Sequence, residues 1–183
     1  MKKSIRKTLF CPAVLVILIL PLIGNTVCAS ENTYYFNGYI NSEEWRWETN
    51  PGNMTDGNTG TFASTTDSND VQWLNSNTCD GTETGTITKV EIRVFGYWSG
   101  ADRDIILQPV FGGSLDGDEH SFDAPKDEGV WSSWFNITDD TNSHSYWTWR
   151  HVEDLDCKVK VGAGSIGFTL YASKVEIKVT YDL

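Results

Sequence analysis

Beyond residue 30, apolar and polar residues alternate along much of the chain. Lys89 to Phe95 reads K-V-E-I-R-V-F, with Val90, Ile92 and Val94 on one side and Lys89, Glu91 and Arg93 on the other. Lys174 to Tyr181 repeats the design, with Val175, Ile177, Val179 and Tyr181 apolar and Lys174, Glu176 and Lys178 charged. Cys157, Val159 and Val161 alternate with Lys158 and Lys160. A period of two marks strands with one buried and one wet face. Tyr34–Ile40, Val71–Leu74, Asp104–Val110 and Val130–Ile137 are further predicted strands. Turn residues separate them at Asn50-Pro51-Gly52-Asn53, Asp56-Gly57-Asn58, Asp80-Gly81, Gly112-Gly113 and Asp116-Gly117. Only Trp147–Leu155 has room for a short helix. Short strands at this spacing predict an all-β fold, an antiparallel β-sandwich of jelly-roll type. Residues 30–183 have the length of a single domain with a sizeable core.

The pattern changes at the N-terminus. Lys2, Lys3, Arg6 and Lys7 precede an apolar stretch from Leu9 to about Ile23, and a short polar region ends Val27-Cys28-Ala29. This order reads as a signal peptide over residues 1–29, cut before Ser30. Retention as an anchor is the competing reading. The apolar run carries Pro12 and Pro21 and falls short of the roughly 20 residues of a spanning helix. Cys28 as a lipid attachment site is a third reading, with Asn25-Thr26-Val27 a poor lead-in. The expected location is secreted, extracellular or at the cell surface, with no membrane attachment after cleavage.

Export changes how charge and cysteines are read. The leader's four basic residues leave ten Lys and Arg against 25 Asp and Glu, a net charge of −15 over residues 30–183. So acidic a surface speaks against nucleic acid and against anionic membranes as partners. Cys11 and Cys28 leave with the leader. Cys79 and Cys157 remain, and in an exported chain they are expected to form one disulfide.

Candidate chemistry is sparse. His144 and His151 lack zinc-ligand spacing, and no G-x-S-x-G or H-E-x-x-H occurs. Asp116, Asp118, Glu119 and His120 share a Gly-rich loop that reads as a solvated turn, although paired carboxylates also serve glycoside hydrolysis. The expectation is a protein that is not an enzyme. Trp73, in a strand, is expected in the core. Trp131 and Trp134 lie at different phases of one strand, so they cannot both face inward. Trp98, where a strand gives way to a loop, is a candidate for stacking on a sugar; its alternative is a loop aromatic folded over the end of the sandwich. Asn53-Met54-Thr55 and Asn136-Ile137-Thr138 fit the N-glycosylation pattern.

One ordered set of residues goes further. Residues 56–74 read D-G-N-T-G-T-F-A-S-T-T-D-S-N-D-V-Q-W-L, followed at 87–94 by I-T-K-V-E-I-R-V. With Val175-Glu176-Ile177 near the C-terminus, this resembles the discoidin-like (coagulation-factor type C) branch of the galactose-binding-like jelly rolls, over residues 53–94 and 173–181. The resemblance implies a structural calcium ion. Asp56 would give a carboxylate oxygen, Asn58 a carbonyl, Thr61 a hydroxyl or carbonyl, and Asn53 a loop carbonyl. Glu176 would close the site with its carboxylate and Val175 with its carbonyl. Such an oxygen set suits a hard cation. Asp56-Gly57 as a plain turn, and Glu176 as one rung of a charged face, are the alternatives from the residues alone.

Two roles follow as expectations. The first is a non-catalytic, calcium-stabilised binding module for a glycan or another surface component. The second is a structural or assembly subunit of a cell envelope or appendage that associates with itself.

Overall fold

The computed structural model describes residues 29–42, 46–100, 103–162 and 168–183. The expected leader therefore lies outside the described residues except for Ala29. Among the described residues, eleven strands carry the fold: β1 (Ala29–Tyr39), β2 (Ala63–Thr65), β3 (Val71–Asn77), β4 (Thr86–Ser99), β5 (Asp104–Phe111), β6 (Leu115–Asp116), β7 (His120–Asp123), β8 (Val130–Trp131), β9 (Phe135–Asn136), β10 (Asp156–Val161) and β11 (Thr169–Asp182). A 3-10 turn covers Pro51–Met54, and the short helix α1 covers Trp149–Glu153, inside the segment expected to hold one. Thr148 caps α1 by accepting from the His151 backbone N–H.

The fold is all-β and sandwich-like, and its paired strands are antiparallel. One layer runs β1–β11–β4, with β2 on β11 and β8 and β9 on β4. The other runs β1–β3–β10–β5, with β6 and β7 on β5. β1 serves both layers. Residues Ala29–Tyr35 pair with β11, and Phe36, Gly38 and Tyr39 pair with β3. A strand that changes sheets in this way makes a corner of the sandwich.

The three alternating runs behave as their pattern demands. Val90, Ile92 and Val94 of β4 lie beside Val179, Ile177 and Val175 of β11, and all six are fully buried. Cys157 and Val159 of β10 face the same core from the opposite layer with Leu74, Leu107 and Phe36. The layers approach closely at Gly96: a Cβ there would lie 2.4 Å from Ile105 Cδ1 and 2.6 Å from the Tyr171 carbonyl oxygen.

Three expectations are corrected. Trp73 is not in the core: Gln72 points inward and Trp73 outward, because Leu74 and Cys157 set the phase of β3. Gln72 tolerates burial because its carboxamide is satisfied. Its Oε1 accepts from Trp47 N at 3.2 Å, and its Nε2 donates to the Ile40 carbonyl at 3.0 Å. The expected strand Val130–Ile137 is broken into β8 and β9 by Ser132–Trp134. There Ser132 exchanges backbone and side-chain hydrogen bonds with Val94. Trp131 and Trp134 both end up on the outer face.

The third correction concerns the cysteines. The bridge expected between Cys79 and Cys157 is not formed; both thiols are free and buried. Cys157 lies opposite Leu74 within the sheet. Cys79 lies past the end of β3 beside α1, with Sγ 3.9 Å from the Trp149 carbonyl and 3.6 Å from Glu83 Oε2. Cys79 lies five positions beyond Leu74 and two past the end of β3, roughly 15 Å along an extended chain and well beyond disulfide reach. Burial pushes the Cys79 thiol up to about 11, with the Glu83 carboxylate adding to the shift. Burial pushes Cys157 up further.

Candidate binding face on the outer side of the β1–β11–β4 layer

β4 sends Lys89, Glu91, Arg93, Phe95 and Tyr97 outward, since their neighbours fill the core. On β11 a bulge between Ala172 and Val175 adds one residue relative to β4. The bulge reverses the alternation, so Tyr171 and Glu176 share one face although their numbers differ by five. Tyr171 lies beside Tyr97, and Glu176 beside Arg93.

An aromatic strip results. Tyr97 and Tyr171 stack with centroids 4.5 Å apart and planes 7° apart. Phe62 meets Tyr97 edge-on at 5.1 Å and lies 6.1 Å from Phe95. Phe95 meets Trp131 edge-on at 5.4 Å. The Arg93 guanidinium then sits 4.0 Å from the Trp131 ring and 4.1 Å from the Trp134 ring. Lys178 Nζ lies 4.7 Å from Trp134, and Lys174 Nζ lies 4.8 Å from Tyr35. Each of these side chains is half-buried. Edge-on and offset pairs are the favoured aromatic geometries. Cations over Trp and Tyr rings add attraction.

The ions on this face are paired across strands. Arg93 binds Glu176 through Nε at 2.9 Å and Nη2 at 2.6 Å, and Lys174 holds the other oxygen of Glu176 at 2.8 Å. Glu91 contacts Lys178 at 2.9 Å and Lys89 at 3.1 Å. Burial opposes the charge of Glu91, but the two lysines outweigh it and hold its carboxyl below the usual range. Burial raises the Tyr97 hydroxyl, with Tyr171 and Asp127 adding to the shift.

The residues singled out for calcium are placed as follows. Asp56, Asn58 and Thr61 share one turn. Asp56 Oδ1 accepts from Asn58 N at 2.8 Å, and Asp56 Oδ2 accepts from the Thr61 hydroxyl at 2.5 Å. The Asn58 carbonyl accepts from Thr61 Oγ1 at 3.2 Å and from Ser173 Oγ at 2.8 Å, which ties the turn to the bulge of β11. Asn53 donates its carboxamide to the Phe62 carbonyl at 2.9 Å. Val175 is fully buried beside Val94. The Glu176 carboxylate is paired with Arg93 and Lys174.

Trp98, the sugar-stacking candidate, lies in β4 and is 7% exposed, within the core, so its ring face is not presented to solvent. The acidic loop is tied to the opposite layer: Asp116 binds Lys158 at 2.6 Å, and Glu119 binds Lys160. His120 Nε2 lies 2.8 Å from Asp140 Oδ2 and stacks on Phe135. Burial raises the Asp140 carboxyl against the opposing pull of His120. These contacts fasten the acidic loop. The outer strip is not among the sites that the sequence singles out. Its signal was the outward run R-x-F-x-Y of β4, hidden because β11 supplies the matching Tyr171 only after a change of phase.

No known family, curated protein or solved structure matches the chain.

Proposed function

We propose that this protein is an exported, non-catalytic binding module. It is built on a jelly-roll sandwich freed of residues 1–29, and it takes glycan chains on the outer face of the β1–β11–β4 layer. The observation that carries the reading is the aromatic strip from Tyr171 through Tyr97, Phe62, Phe95 and Trp131 to Trp134. It is half-exposed and flanked by paired Arg, Lys and Glu side chains. Sugar rings present apolar C–H faces that stack on aromatic rings and hydroxyls that hydrogen-bond to such charged rims. Native gels cast with neutral and acidic soluble polysaccharides test it. Retarded migration in at least one polymer is expected, and equal migration in all of them overturns the proposal.

A second reading, an assembly subunit, draws on β1. Ala29–Tyr34 hydrogen-bond as a strand to β11, while β3 joins β1 only from Phe36 onward. The opposite edge of this first half lacks a partner strand among the described residues. Open edges pair with other chains. Light scattering on a size-exclusion column decides: growth of dimers with concentration supports self-association, and a monomer at every concentration removes it.

A further inference from the structure

The two N-glycosylation patterns have different structural fates. Asn53 lies in the 3-10 turn Pro51–Met54, whose last residue is fully buried. Its amide nitrogen, the atom that would carry the sugar, donates to the Phe62 carbonyl at 2.9 Å. The Thr55 hydroxyl, which the pattern places there to engage the Asn amide, donates instead to the Gly52 carbonyl at 2.9 Å.

Asn136 is arranged in the opposite way. It is exposed at the end of β9, on the same outward row as Glu91. Its Oδ1 accepts from both the Thr138 backbone N–H at 3.0 Å and the Thr138 hydroxyl at 2.6 Å. Its amide nitrogen makes no hydrogen bond among the described residues and faces solvent. The residues around it are firmly anchored. Ile137 is fully buried and donates its N–H to the Val90 carbonyl at 2.9 Å, and Trp147 Nε1 donates to the Thr138 carbonyl at 3.0 Å. An Asx turn of this kind polarises the carboxamide through its oxygen and turns the NH2 group outward.

We propose that Asn136 is a glycan attachment site and that Asn53 is not. The inference rests on export, which the N-terminal leader predicts, and is independent of what the aromatic strip binds. The donor class is a glycan carried on a polyprenyl diphosphate. The Asn136 amide nitrogen attacks C1 of the first sugar. The bond from C1 to the diphosphate oxygen breaks, and its electron pair leaves with the lipid diphosphate. The amide loses one proton to a base, so no oxidant or reductant is involved. The attached chain would rise beside Trp134 and border the proposed binding face.

Trypsin separates the two sites, since cleavage after Arg46, Lys89, Lys126 and Arg150 places Asn53 in fragment 47–89 and Asn136 in fragment 127–150. The protein is isolated from the envelope and medium of its own source cells, and the digest is read by mass spectrometry. Fragment 127–150 is expected to carry a mass addition that breaks into sugar units, while fragment 47–89 has its unmodified mass. In cells producing Asn136→Gln, the addition is expected to vanish. An unmodified fragment 127–150, or sugar on fragment 47–89, overturns the proposal.

Discussion

Replacing Glu176 with Gln keeps its shape and removes its charge, leaving Arg93 and Lys174 without their counter-ion on a half-covered face. The Glu176 side chain is 8% exposed and that of Arg93 25% exposed. Fully exposed ion pairs contribute about 0.2–1 kcal/mol. Breaking a fully buried pair costs about 3–5 kcal/mol. This pair lies between the two, so Glu176→Gln should cost about 2 kcal/mol. In a domain of this size that corresponds to a fall in Tm of roughly 4–8 °C. Arg93→Met additionally loses its contacts with Trp131 and Trp134, each about 0.5–1 kcal/mol at a partly exposed site. The double variant isolates the pair, with an expected coupling energy of about 1–2 kcal/mol. Urea unfolding followed by tryptophan fluorescence supplies all four stabilities. A coupling below about 0.3 kcal/mol, the usual scatter for independent sites, would refute the reading of Glu176 as the ionic centre of this face.

Three further outcomes follow from the same structure. With Glu176 held by Arg93 and Lys174, millimolar calcium against EDTA should leave Tm unchanged; a rise abolished by Asp56→Ala would restore the calcium site. A thiol reagent at mildly alkaline pH should leave Cys79 and Cys157 unmodified in the native protein and label both in denaturant, and a disulfide in the unreduced protein would contradict the fold around α1. His144 and His151 stack with ring centroids 3.6 Å apart, and burial, then His151, holds the His144 imidazole below its ordinary value. Because the folded value is depressed, the unfolded chain takes the proton first. Stability is then complete above the unfolded value of about 6.5 and is lost as pH falls toward the lower folded value. The urea midpoint should fall over this range less steeply in His144→Gln than in the wild type, and equal slopes would contradict the assignment.

Local alternation made the layers legible. The period-two runs around Ile92, Val159 and Ile177 located three long strands and their buried faces correctly, because one residue in two must meet the core. The short helix near Trp149 was likewise legible, since the segment lacked that alternation. What failed depended on partners distant in sequence. Trp73 looked like core until pairing with β10 turned Gln72 inward. The cysteines looked like a bridge because composition carries no information on distance. The proposed binding face was invisible because the bulge in β11 and the break between β8 and β9 re-aim Tyr171, Trp131 and Trp134 without a local sequence signal as strong as the strand pattern.

The most direct measurement is the dissociation constant for the polysaccharide that most retards the wild-type protein, taken for the wild type and three variants. Trp134→Ala and Tyr171→Ala alter the two ends of the outer strip, and Trp73→Ala alters the outer face of the opposite layer. Each strip variant should bind about tenfold more weakly, a loss of about 1.4 kcal/mol, while Trp73→Ala binds as the wild type does. Unchanged affinity in Trp134→Ala and Tyr171→Ala, or a loss confined to Trp73→Ala, would contradict the assignment of glycan recognition to this face.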